Sequence, residues 1–395
     1  MADPAVTIHV SQLVFQLLAL ASPPFPGRRL LVASVLTVLA IAPHFTDFAT
    51  DVPGDAQPFA LLWPIYLGTL NEFLCASGDG PEDSYWHVDR PAREARAMMP
   101  WGPRKLKWAA ALILNTRGVG WNWEVAKVTP KPKATRGRFL AGQVLQFFKM
   151  LLMADLLFQL SERLLWTPRP EDSKYLTVGH PDWRWSFIRV LVWACGPYFF
   201  VSLQYVTATI IGVGLGLTQP EDWPPYFGNV SQATTVRNFW GSFWHQTLRR
   251  SLTKLNDFII DTLSIPRGTN LSSYTQIWVA FAVSGFMHAQ SMLLLPHPPN
   301  LTADERFTGV LVFFLWQAVA ITAEDFAMWL WRRASGGREM NPTVSRLIGY
   351  AWVTGSMWYS LPWAADVMLR IRMTEKSMLP FSLVRGFVQQ IPLPP

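Results

Sequence analysis

A chain of 395 residues that is 50% hydrophobic, only 15% charged and carries 20 Trp does not read as two or three soluble domains. The formal net charge of +7 comes in short Lys and Arg blocks between apolar runs, a membrane-topology pattern, so no nucleic-acid partner is expected. Two cysteines, Cys75 and Cys195, exclude a disulfide framework and a thiolate zinc site. Both are expected to pack as small hydrophobes, and no metal or bound cofactor is expected.

A bilayer crossing needs about 20 mostly apolar residues. In chain order the runs that meet or approach this are 8–22, 29–43, 58–76, 138–160, 187–217, 273–295, 307–331 and 347–369. The first lacks the anatomy of a cleaved signal, so Val10 to Ala21 is read as retained membrane segment. Pro23, Pro24 and Pro26 separate it from the second, making an interfacial pair or a helical hairpin. The run 187–217 is either one tilted helix or two short ones around Gly196-Pro197.

Charge assigns the sides. The stretch with Arg90, Arg93, Arg96, Arg104, Lys105, Lys107, Lys127, Lys131, Lys133 and Arg136 belongs in the cytosol. Taking 187–217 as one helix, alternation places 161–186 and 296–306 in the lumen, and 218–272 and Arg332, Arg333 and Arg338 in the cytosol. The basic tail, Arg370, Arg372, Lys376 and Arg385, then falls on the lumenal side, against the rule. Asn300-Leu-Thr302 is a glycosylation sequon in a lumenal loop. The expected fold is an all-α polytopic integral membrane protein with roughly 7–9 transmembrane helices, a single domain over 1–395 whose motifs lie at 230–295.

Two constellations carry chemistry. The first is Arg237-Asn-Phe-Trp-Gly-Ser-Phe-Trp-His-Gln-Thr-Leu-Arg-Arg250. If it is helical, Arg237, Gly241, His245 and Arg249 share one row at i, i+4 spacing. It reads either as an aromatic, basic anchor at headgroup depth or as a substrate surface. In the second reading Gly241 leaves a gap beside His245, and the guanidiniums bind phosphates of an acyl carrier. The second constellation, Ser284-Gly-Phe-Met-His288-Ala-Gln290, lies inside an apolar run. An ionisable residue there is either hydrogen-bonded structure or a functional group facing a cavity, and a neutral His can accept a proton near pH 7.

Other polar residues in apolar runs are more open. Lys149 and Asp155 fit helix ends and snorkelling as well as catalysis, and Glu324, Asp325 and Asp366 are candidates to bind a polar acceptor. His9, His44, His87, His180 and His297 are expected to be solvated. Gly118-Val-Gly120 lacks the strand and third glycine of a dinucleotide loop.

Arg-Asn-Phe-Trp-Gly-x-x-Trp-His-Gln followed by Ser-Gly-Phe-Met-His, together with Arg117-Gly-Val-Gly-Trp121-Asn-Trp123, resembles the wax synthase-like branch of the membrane-bound O-acyltransferase superfamily, and its fungal members in particular. The resemblance implies acyl transfer from acyl-CoA to a hydroxyl inside a helical fold with a tunnel. It matches His288 to the family's membrane-embedded catalytic His. His245, where many members carry Asn, is implied to position substrate or polarise the thioester. Arg237, Asn238, Trp240, Trp244, Gln246 and Arg249 are the candidate substrate-binding residues, with Asn238 and Trp240 as further oxyanion donors.

The fungal likeness implies acetylation of a terpenoid or related secondary metabolite, with acetyl-CoA as co-substrate, in the endoplasmic reticulum membrane. The donor is expected from the cytosol near Arg237 to Lys254, and the lipophilic alcohol laterally through the bilayer. A long-chain wax ester synthase is the alternative within this chemistry, and a proton-coupled membrane transporter the alternative of another class. Acyl chain length and oligomeric state are left open.

Overall fold

The computed structural model describes residues 3–166, 170–375 and 381–393. No strand forms among the described residues; a lone bridge pairs His87 with Trp121. The helices are α1 (Pro4–Ala21), α2 (Arg28–Ile41), α3 (Pro53–Ala60), α4 (Trp63–Leu74), α5 (Pro81–Ser84), α6 (Pro103–Leu114), α7 (Arg136–Leu165), α8 (Trp183–Gly214), α9 (Val236–Asn238), α10 (Arg249–Thr262), α11 (Asn270–Leu294), α12 (Ala303–Ala334), α13 (Pro342–Arg370) and α14 (Arg385–Val388). Six of them, α1, α2 with its extension to Phe45, α7, α8, α11 and α12, are long and apolar enough to cross a membrane. With 29 residues, α13 also has spanning length at about 1.5 Å per residue. The architecture is the expected all-α polytopic one.

Local chemistry sets the boundaries. Asp3 caps α1 by accepting from the Val6 amide, Asp182 caps α8, and Thr302 with Glu305 forms a capping box on α12. Pro342 opens α13 behind its Asn341 cap. The apolar run 187–217 is one helix, α8, which carries Pro197 inside it. The run 58–76 is not one segment: it breaks between α3 and α4. Pro64 has no amide to donate, and in a continuous helix its ring would meet the carbonyl of Ala60.

The helix ends group as the charge alternation predicts. On one side Arg117 donates to Pro225 O (2.9 Å) and Pro224 O (3.0 Å), Lys127 to Ser242 Oγ (3.0 Å) and the Tyr350 hydroxyl to Ser231 O (2.8 Å). On the other, Lys174 pairs with Glu305 at 3.1 Å and Arg370 Nε donates to Leu176 O at 3.0 Å. The basic tail belongs to this second side and is paired there: Arg370 with Asp366 (3.5 Å), Arg372 with Glu375, and Arg385 with Glu162 (3.9 Å). Lys376 lies outside the described residues.

Among the described residues two large packed bodies of side chains result, with a smaller one around Val236, Ala320, Ile321 and Val353. The N-terminal one gathers Leu20, Leu36, Phe73, Trp108 and Leu112 from α1, α2, α4 and α6. It also seals in the Arg28–Glu82 ion pair at 2.8 Å and Lys105, which donates to Ser22 O at 3.1 Å. The larger one joins α7, α8, α11, α12 and α13 through Leu157, Val190, Met292, Phe313 and Ala365. Small residues let its helices approach: a Cβ on Gly309 would stand 2.3 Å from Trp363 O of α13.

Candidate active site

A cavity of about 3070 Å³ runs between these helices, from Arg90 and Lys107 at the first end to Asp55 and Thr374 at the other. A pocket for one small ligand is typically about 300–1,000 Å³, so this space has room for a donor and an acceptor together. His245 and His288 both lie on its wall, with Arg237, Trp240, Trp244, Gln246 and Arg249. Asn238 is not on the wall, and neither are Glu324, Asp325 and Asp366, three of the candidate polar contacts.

His288 sits within regular α11. Its Nδ1 is 2.7 Å from the carbonyl oxygen of Ser284 one turn earlier, with Ser284 Oγ at 3.5 Å. A carbonyl only accepts, so Nδ1 carries the proton and Nε2 keeps its lone pair, free to accept another. The ring is also fixed from both sides. Phe314 of α12 stacks on it with centroids 4.6 Å apart and 24° between planes, and Trp63 of α4 meets it edge-on at 5.1 Å. Gly285 makes that stacking possible, since a Cβ there would lie 2.8 Å from Phe314 Cβ.

The Arg237 stretch is not one continuous α-helix. After the single turn of α9 the chain forms a π-turn over Phe239–Phe243, becomes extended at Trp244 (φ −66, ψ 149), and resumes as α10 at Arg249. The irregular path is held by side chains that satisfy the backbone. Glu324 accepts the amides of Val236 (2.8 Å) and Arg237 (3.0 Å). Gln246 Nε2 donates to the carbonyls of Trp240 (3.1 Å) and Trp244 (2.5 Å), and Arg249 Nη1 donates to Gly241 O (2.9 Å) and Gln246 Oε1 (2.7 Å). The shared row of Arg237, His245 and Arg249 therefore does not form. Arg237 pairs with Asp325, Arg249 is engaged with the loop, and Trp240 Nε1 is engaged with Gln317 Oε1 at 3.1 Å.

His245 projects from the extended part among Tyr226, Trp244 and Phe227, at centroid distances of 5.5, 5.5 and 5.8 Å. Its Nδ1 is sealed from solvent with no protein partner among the described residues. Burial holds its pKa far below the ordinary histidine value, at about 3, with smaller contributions from His288 and the Arg117 guanidinium. The two histidines are thus electrostatic neighbours, and His245 is neutral at physiological pH.

Arg117 is the residue that sequence reasoning undervalued. It is buried, donates to Pro224 O, Pro225 O and the Tyr205 hydroxyl (2.8 Å), and lies over the Tyr226 ring at 5.0 Å. Its signal was the Arg-Gly-Val-Gly-Trp element: Gly118 takes φ +65 and passes so close to Trp123 that a Cβ would fall 2.4 Å from the indole. His9 also departs from expectation. It is buried rather than solvated, 2.8 Å from the Tyr66 hydroxyl and stacked on Phe48. Cys75 is exposed, whereas Cys195 packs half-buried on the core.

Residues 223–316, which hold both histidines, match the model of the membrane bound O-acyl transferase family, and residues 135–214 match that of the Aspirochlorine biosynthesis protein F C-terminal domain. Aspirochlorine biosynthesis protein F of Aspergillus oryzae is 39% identical over 223 residues, covering 55% of this chain and 87% of that protein. The Rhodocybe pseudopiperita protein named Acetyltransferase ple2 is 30% identical over 289 residues, 71% of this chain and 72% of its own. The chain belongs to the membrane-bound O-acyltransferase family. It is therefore an acyltransferase, and with its long apolar helices a multi-pass membrane protein. Acetyltransferase spyB of Aspergillus fumigatus is 30% identical over 303 residues, 70% of this chain, which spans about half (49%) of that relative's length.

Proposed function

We propose that this O-acyltransferase moves an acetyl group from acetyl-CoA to a hydroxyl of a lipophilic secondary metabolite of the terpenoid kind, in the endoplasmic reticulum membrane. The observation that carries the reading is His288: a ring whose Nδ1 is committed to Ser284 O, whose Nε2 is left as a base, and which shares the wall of a two-substrate cavity with neutral His245. The names of relatives such as ple2 and spyB support acetyl as the group moved.

In this mechanism His288 Nε2 takes the hydroxyl proton as the oxygen attacks the thioester carbon. The tetrahedral oxyanion needs a donor. Of Asn238, Trp240 and His245, the first is off the wall and the second has its N–H on Gln317, so His245 is the donor that fits. The C–S bond then breaks, the ester is released, and the proton on His288 passes to the coenzyme A thiolate. Arg90 and Lys107, exposed on the cavity wall at the first end and without an ion pair among the described residues, suit the donor's phosphates better than Arg237, which is paired with Asp325, or Arg249.

The test is acyl transfer by microsomes given labelled acetyl-CoA or palmitoyl-CoA and a panel of terpenoid and fatty alcohols. Acetyl transfer should dominate, and His288→Ala should lower kcat by about 10²–10⁴, the usual worth of a positioned base. Full activity in His288→Ala overturns the assignment of the base. A preference for palmitoyl-CoA and fatty alcohols overturns acetylation in favour of wax ester formation.

A further inference from the structure

Beside the large cavity the fold encloses a second space of about 20 Å³, bounded by Thr69 and Glu72 of α4, Thr116, and Thr247, Arg250 and Ser251 around the start of α10. Several polar atoms of these residues are buried without a protein partner among the described residues: Thr69 Oγ1, Glu72 Oε2, and Nε and Nη2 of Arg250. A space this size holds one water, and an ordered buried water needs two to four polar partners. The volume and the unpartnered donors and acceptors agree on one occupant.

Thr247 borders both this space and the large cavity. Its Oγ1 is 2.5 Å from the Tyr226 hydroxyl, and the Tyr226 ring leans on His245 at 5.5 Å and 30°. Arg250 is itself immobilised. Its Nη1 binds Glu72 Oε1 at 2.8 Å, and its guanidinium lies 3.6 Å from the Trp123 ring centroid and 4.4 Å from that of Tyr85. Asn71 Nδ2 donates to Ser251 O at 3.2 Å, a second tie from α4 to the same turn. No regular helix fixes His245, so its position depends on what holds its neighbours.

We infer that Glu72, Arg250 and an ordered water between them form a positioning clamp that acts on His245 through Thr247 and Tyr226. None of these groups touches the reacting atoms; they are positioning residues, and the inference rests on His245 serving the proposed reaction. Their contribution is to hold the donor N–H where the oxyanion forms, an effect on turnover rather than on donor binding.

The experiment uses the full-length protein in detergent or microsomes, with kcat and KM for acetyl-CoA measured for Thr247→Val, Thr247→Ser, Glu72→Gln and His245→Ala. Thr247→Val keeps shape and loses the hydroxyl. It should lower kcat about tenfold or more at nearly unchanged KM, and Thr247→Ser should recover most of that loss. Glu72→Gln should follow Thr247→Val. Wild-type kcat in Thr247→Val while His245→Ala is impaired overturns the clamp alone; wild-type kcat in His245→Ala overturns the role of His245 in the reaction itself. Equal losses in Thr247→Val and Thr247→Ser also count against the clamp, since they trace the effect to packing and not to the hydroxyl. Should a variant fail to fold, a high-resolution density map of the wild type decides: a water within hydrogen-bond distance of Glu72 and Arg250 is expected, and an empty space in a map that shows other buried waters overturns the inference.

Discussion

The two histidines are held by opposite means. His288 is one position in a 25-residue helix, placed by the backbone ladder, tied to its own preceding turn and stacked under a neighbouring helix. His245 sits just after a widened helical turn, on an extended piece of chain held by the Glu324 carboxylate of α12 and by the Gln246 amide and Arg249 guanidinium that fold back from the residues following it. Where packing holds a side chain, volume is what cannot change. Where side-chain hydrogen bonds hold it, small steric changes are absorbed and lost polar partners are not.

The largest expected effect breaks the packed half. Gly285→Ala puts a methyl 2.8 Å from Phe314 Cβ and 3.2 Å from Leu311 Cδ1, so Phe314 must move off the His288 ring or α12 must shift. A displacement near 1 Å at a catalytic base costs about 10²-fold in kcat, and overpacking costs about 1–3 kcal/mol of stability. Gly241→Ala is the matched change on the irregular half. A Cβ there meets no atom within 4 Å and enters the cavity, so the chain around His245 need not move and kcat should fall far less than in Gly285→Ala. Steady-state kinetics on the pair checks the comparison, and similar losses in both variants would refute it.

A second, smaller effect comes from polar ties. Glu324→Gln leaves one oxygen where two served the amides of Val236 and Arg237 and the indole of Trp352 (3.2 Å). Loss of about one hydrogen bond should lower kcat by up to about tenfold. Hydrogen exchange locates the change: amides over 228–248 should exchange faster while those of α11 stay as protected as in wild type. Faster exchange spread evenly over both regions would mean that Glu324 supports the whole fold rather than this loop.

The same contrast explains what could be read from the chain alone. His288 was legible because apolar periodicity locates a helix and an ionisable residue inside it is conspicuous. The continuous α-helix that the Arg237 stretch suggests is not formed: its first turn is capped by Glu324, some 87 residues on, the coil widens over Phe239–Phe243 and the chain opens at Trp244, and no local pattern announces these features. Arg237 and Arg249 looked like free cations for the same reason, since Asp325 and the Gly241 carbonyl come to them only in the fold. The break between α3 and α4 was legible in principle, as Pro64 cannot continue a helix, but hydropathy averaged over 58–76 conceals it. Arg117 was visible as a motif without a role; its role depends on Pro224 and Tyr205, far away in the chain.

A further effect concerns acid stability. Folded, His245 holds its pKa near 3, with burial as the main cause, while the unfolded chain protonates it at the ordinary value near 6.5. Between these values the unfolded state binds the proton that the folded state refuses, so stability must rise with pH across that window and be lost as pH falls through it. Above about 6.5 both states are neutral at this site and the contribution is complete. Replacing the ring by an apolar one removes the linkage: in His245→Phe the drop in thermal midpoint between pH 7 and pH 4.5 should be smaller than in wild type, measured by scanning fluorimetry in detergent. Parallel acid limbs would mean that the folded loop opens to let the imidazole charge, and a loop that opens so readily is not one held shut by Glu324, Gln246 and Arg249.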